Sequence, residues 1–105
     1  MKLNVYVGDN MIPIEVPDDM LADAEHIYAK MDKDMDRGWQ MFRDWVDNLS
    51  KEQRCQVVAD KLLTALENEN QPSSMLMAGY IMTRMPEVSN LHISTDGDIT
   101  QTQLS

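Results

Sequence analysis

Residues 18–49, DDMLADAEHIYAKMDKDMDRGWQMFRDWVDNL, decide how this chain is read. Leu21, Ala24, Tyr28, Met31, Met35, Gly38, Phe42, Trp45 and Leu49 recur at an unbroken three-four spacing, and the outward positions between them are polar, from Asp23, His26 and Lys30 to Arg43, Asp44 and Asp47. The spacing predicts one long helix over 18–49 with an apolar packing seam. Asp18 and Asp19 follow Pro17 as a cap and a first-turn negative charge, favourable at the positive end of a helix dipole. Such a helix would measure about 45 Å, longer than a domain of this size is wide, so it must project or kink. Gly38 is the kink site.

Before it, residues 1–17 alternate. Leu3, Val5 and Val7 share a face, and Ile12, Ile14 and Val16 follow the turn-forming Gly8, Asp9 and Asn10. A four-residue loop, Gly8 to Met11, would pair Val7 with Ile12, Val5 with Ile14 and Leu3 with Val16, a hairpin with one buried face. Pro13 cannot donate to a ladder, which makes the second strand an edge and leaves the first free to pair on its other side.

After it, Ser50 and Gln53 form a capping box for a second helix, 50–70, striped by Cys55, Val58, Ala59, Leu62 and Leu66. Ser73 or Ser74 is expected to cap a third, Met-rich helix, 73–85, which stops before Pro86. That helix is apolar nearly all round, so it must be central in the core or shared with a second subunit. Alternation returns at 90–104, where a three-residue loop, Thr95 to Gly97 with Gly97 left-handed, would pair Ile93 with Ile99. The expected fold is α+β and mostly helical: an N-terminal β-hairpin, three helices of which one is long, and a C-terminal β-hairpin completing a small antiparallel or mixed sheet. All 105 residues are expected to form one domain.

A short hairpin leading through Pro17 into a helix resembles the opening of the ubiquitin-like β-grasp fold. The resemblance covers about a third of the chain. Three helices stand where that fold has one, and the chain ends Gln103-Leu104-Ser105 instead of in a diglycine, so no function is carried across.

Eighteen acids against nine bases give a formal charge of -9, which repels phosphate backbones and excludes direct nucleic-acid binding without a local basic patch. The acidity is concentrated early: residues 18–36 hold seven acids and two bases. Cys55, the single cysteine, cannot form an intrachain disulfide, and residues 1–16 lack a secretory h-region, so a reducing cytoplasm is the expected location. The most hydrophobic run, Met75 to Met82, is far shorter than the roughly 20 residues of a membrane span.

Chemical motifs are sparse. Asp32, Asp34, Asp36 and Gly38 imitate a calcium loop, but Arg37 and Arg43 stand where Gly and Glu are required, and a solvated acidic helix face explains them better. The ten methionines fit adaptable packing more readily than Cu(I) ligation. Cys55, His26 and His92 adjoin no nucleophile motif, paired carboxylates such as Asp32 and Asp36 should be exposed and ionised, and no phosphate loop or cofactor signature is present. An enzyme is therefore not the favoured reading.

The leading expectation is protein–protein interaction, as a homodimer built on the long helix or the Met-rich helix. Candidate contact residues are Met77, Tyr80, Ile81 and Arg84, on one side of the Met-rich helix, and Trp39 and Trp45, clustered with Phe42 and Val46 on the long helix. Two rivals come from other classes: a binder of small apolar ligands between helices, and an acidic antagonist of a basic nucleic-acid-binding partner.

Overall fold

The computed structural model describes residues 1–105. Strands β1 (Lys2–Val7) and β2 (Asn10–Glu15) form the N-terminal hairpin. Its loop is two residues shorter than expected, because Val7 pairs with Asn10, Val5 with Ile12 and Leu3 with Ile14. Gly8 adopts φ +60°, the glycine-first arrangement of a two-residue turn whose twist matches the strands. A shift of two residues preserves the alternation, so Leu3, Val5, Ile14 and Val16 are still buried on one face.

The open side of β1 is taken by β5 (Asn90–Ile93), in parallel, with Val5 opposite Leu91, and β6 (Gln103–Leu104) then pairs antiparallel to β5. The result is a mixed sheet in the order β2-β1-β5-β6, with Pro13 on an edge strand. A parallel pair needs a long crossover, and the helices between β2 and β5 supply it. The fold is α+β.

The long helix is broken twice. Residues 18–35 form α1 (Asp18–Asp23) and α2 (Glu25–Met35), with Ala24 ending one and starting the other, and beyond Met35 the backbone leaves the helix altogether. Gly38 takes φ +94°, and Trp39 to Val46 fold into a small hairpin, β3 (Trp39–Gln40) and β4 (Trp45–Val46). The size of the molecule explains the correction. Its longest extent is 34 Å, so a 45 Å helix would carry the far end of its seam past all cover, whereas the break returns Met41 and Leu49 to the core. Gly38 is held by close approach as well as by its φ: an added Cβ would lie 2.6 Å from the Val46 carbonyl oxygen and 2.8 Å from the Trp45 Nε1.

Helix α3 (Lys51–Glu67) opens with the expected capping box. The Gln53 amide donates to Ser50 Oγ at 3.1 Å and the Ser50 amide to Gln53 Oε1 at 2.8 Å. It ends where Glu69 takes φ +54° and the Asn70 and Glu69 amides reach back to the Ala65 and Leu66 carbonyls. Asn70 caps α4 (Gln71–Arg84) through a bond from the Ser73 amide, and Pro72 occupies the first turn, where a missing N–H costs nothing. The helix thus starts two residues earlier than expected, and neither Ser73 nor Ser74 is its cap.

Ala78, Gly79, Tyr80, Ile81 and Met82 of α4 are all buried among the chain's own elements, chiefly α3, β2 and α1. At the C-terminus Ile99 does not pair with Ile93. Residues Ile99–Gln101 form a 3-10 turn capped by Asp98, and β6 begins only after Thr102. The buried Gln56 side chain of α3 donates to the Thr100 and Thr102 carbonyls, anchoring this segment to the helix instead of to a ladder.

Candidate functional site

Two polar or aromatic assemblies stand out from the packed core, and they differ in what they can do. The first is an ion cluster joining α2 to α3 and α4. Asp32 accepts a short hydrogen bond from the Tyr80 hydroxyl, a 3.0 Å bond from Arg84 Nε, and contacts Arg54 Nη1 at 3.5 Å. Arg84 continues to Glu25 at 2.9 Å and Arg54 to Asp36 at 2.7 Å. Asp32 and Asp36 were expected on one solvated face, and only Asp36 is exposed; the Asp32 side chain keeps 29% of its surface because both arginines reach across from other helices.

Burial acts to raise the Asp32 carboxyl, but hydrogen bonds from Tyr80 and Arg84 and the charges of both arginines outweigh it and hold the carboxyl below its ordinary value. Tyr80 is pushed upward by burial and by donating to Asp32. A firmly ionised carboxylate beside a firmly protonated phenol gives no proton-transfer pair near neutrality. Lys51 and Thr83 line a shallow pocket of about 480 Å³ over this cluster, yet Arg54 and Arg84 are already spent on Asp32, Asp36 and Glu25. Its chemistry is that of a clamp.

The remaining polar candidates are dispersed. Cys55 is fully buried and burial pushes its thiol up to about 12, so it is neither a ready nucleophile nor a thiolate ligand. His26 is exposed on α2, and His92 stacks on Tyr6 at 4.4 Å on the outer face of the sheet. No three His, Cys, Asp or Glu side chains converge as metal ligands would.

The second assembly is the β3–β4 hairpin. Trp39, Phe42, Trp45 and Val46 were expected on one helical face; the break at Gly38 instead places them on a hairpin, with Trp39 opposite Val46 and Gln40 opposite Trp45. The inner side is tied down: Met41 is buried, its amide donates to the Asp44 carbonyl, and Trp39 packs against the core under Lys61, whose Nζ lies 5.1 Å from the ring. The outer side is open. Trp45 is 58% exposed there, and at the turn of the hairpin Phe42 is 43% exposed, with Arg43 stacked over its ring at 5.3 Å. The Trp45 indole donates to Asp47 at 2.9 Å, which fixes its orientation without covering its face. A depression of about 590 Å³ lies against Trp39, Trp45, Gly38 and Arg37.

The six residues singled out from the sequence are thus dispersed. Trp39 and Trp45 share the hairpin, on its inner and outer sides; Ile81 is fully buried; Met77 is half-buried on α4; and the buried Tyr80 joins Arg84 in the ion cluster. Phe42 and Arg43 complete the aromatic surface, and the clustering of aromatic residues between 39 and 45 was the signal for it. In comparisons with known proteins, no family model, no curated protein and no solved structure matches the chain.

Proposed function

We propose that this chain acts by protein–protein contact, as a homodimer formed through the β3–β4 hairpin. The observation that carries this proposal is the exposure of Trp45 and Phe42 on a hairpin whose other side is anchored in the core. Large aromatic rings held in place and left in water are the side chains that contribute most when a second protein covers them. A two-fold contact must also be complementary to itself. With a net charge of -9, most of the molecule's surface repels a second copy, but the hairpin and the residues flanking it offer Arg37 and Arg43 among Asp34, Asp44 and Asp47, with Lys61 against Trp39. Both signs are available there, so each copy can offer cations to the other's carboxylates.

Sedimentation from low micromolar to about 200 μM protein tests the proposal. The wild type should shift from monomer to dimer, and Trp45→Ala should raise the dissociation constant at least about tenfold while circular dichroism stays unchanged. A wild type that remains monomeric throughout, or a dimer indifferent to Trp45→Ala, would refute it.

A further inference from the structure

Strand β2 is an edge of the sheet, and a groove of about 460 Å³ runs between it and the α3–α4 turn. Its apolar floor comes from Ile12, Ile14, Leu66 and Met75. Glu15 and Glu69 line it as well, no cation does, and neither acid takes part in an ion pair. The groove shares no residue with the aromatic hairpin.

The backbone of β2 adds directional information. The Val16 amide donates to the Met1 carbonyl at 2.8 Å and the Met1 amino group to the Val16 carbonyl at 2.9 Å, so Met1 and Val16 are a doubly bonded pair. Bonded pairs alternate along an antiparallel ladder, which makes Leu3–Ile14, Val5–Ile12 and Val7–Asn10 the inward-bonded ones. Met11, Pro13 and Glu15 therefore turn their backbone polar groups to the free edge. Pro13 offers a carbonyl and no donor, which discourages pairing with a second β2, but Met11 and Glu15 flank it with both groups intact.

We propose that this groove docks an extended, basic segment of a partner protein, which lies along β2 and inserts one apolar side chain over Ile12, Leu66 and Met75. An extended chain satisfies the Met11 and Glu15 edge groups, the apolar floor accepts the anchor, lysine or arginine two residues from the anchor shares its face and answers Glu69, and one adjacent to it takes the outer face and answers Glu15. The missing donor at Pro13 shifts discrimination from the ladder to the pocket and the charges. The contact is independent of the hairpin dimer, so a dimer would present two such grooves.

Fluorescence anisotropy with an acetylated, amidated, dye-labelled peptide Lys-Lys-Leu-Lys-Lys, which offers cations on both faces, is the test at low salt, with Glu-Glu-Leu-Glu-Glu and Lys-Lys-Ser-Lys-Lys as comparison probes. The wild type should bind the first saturably below about 1 mM and the other two at least about tenfold more weakly. The exposed pair of changes Glu15→Lys and Glu69→Lys, checked for fold by circular dichroism, should reverse the preference toward the acidic peptide. No saturable binding of the basic peptide, or binding indifferent to the leucine or to the two charge reversals, would overturn the proposal. So would either of two other occupants: a wild-type dimer lost on the two charge reversals but kept in Trp45→Ala, which assigns the groove to a second copy, or saturable uptake of an apolar dye without peptide binding.

Discussion

Helix α4 and the β3–β4 hairpin are both rich in large apolar side chains, yet residues 78–82 of the helix are sealed inside the molecule while Trp45 and Phe42 of the hairpin stand largely in water. The all-apolar helix finds cover because it is central: α3 lies along it, the β2 side of the sheet lies against it, and α1 closes another flank. The hairpin finds cover only on its inner side, through Met41 and Trp39. Apolar content alone therefore does not locate a contact surface. What matters is whether the chain's own topology can reach the residue, and a topology with a parallel β1–β5 pair places a helical layer where α4 lies and nothing where Trp45 lies.

The largest effect should come from charging the sealed side. Ile81→Asp would place a carboxylate at a fully buried position, and the expected loss is about 4 kcal/mol or more, enough to unfold the chain in a thermal melt. A folded variant that had merely lost self-association would reverse the comparison and return α4 to an interface.

Next in size is the clamp that fastens α2 over α4. Asp32→Asn leaves two partly buried arginines without their shared carboxylate and should cost about 2 kcal/mol, below the figure for fully buried pairs because the cluster keeps contact with solvent. Its pH dependence has a definite sign. The folded Asp32 carboxyl is held below the ordinary value of about 3.9, so its stabilisation is present above that value and is lost as pH falls through the lowered folded one. Melts across about pH 2 to 6 should show a smaller acid-side decline in Asp32→Asn than in the wild type. Equal slopes would mean that Asp32 contributes nothing to holding α2.

Gly38→Ala probes the break between α2 and the hairpin. A side chain there meets both a positive φ and the Val46 carbonyl, and the expected loss is about 1–2 kcal/mol in chemical denaturation. A gain of stability would mean that the helix continues through Gly38. Smallest of all should be Trp45→Ala, within about 0.5 kcal/mol of the wild type in the same measurement, because the ring it removes is mostly exposed.

Features written within a few residues of one another were legible in the sequence. Ser50 and Gln53 are three apart and cap α3 as expected, and the alternation of Leu3, Val5 and Val7 identified the buried face of β1 even though the register was off by two, an error that leaves every side chain on the same face. The place of the break was legible, because Gly38 was the expected kink; that the helix does not resume was hidden, because the heptad spacing runs on through Phe42, Trp45 and Leu49. The clamp was hidden for a different reason. Asp32 meets its arginines across 22 and 52 residues, and a polar position on an outward helical face carries no mark of a distant partner. Glu15, Leu66, Glu69 and Met75 likewise come together only once β2 is laid beside the α3–α4 turn.

Hydrogen exchange measured at protein concentrations below and above dimer formation tests most directly which region meets a second molecule. The hairpin account predicts that amides of residues 39–47 gain protection with concentration while those of 75–84 stay as they are. Concentration-dependent protection confined to 75–84, or none anywhere as the protein is concentrated, would contradict it.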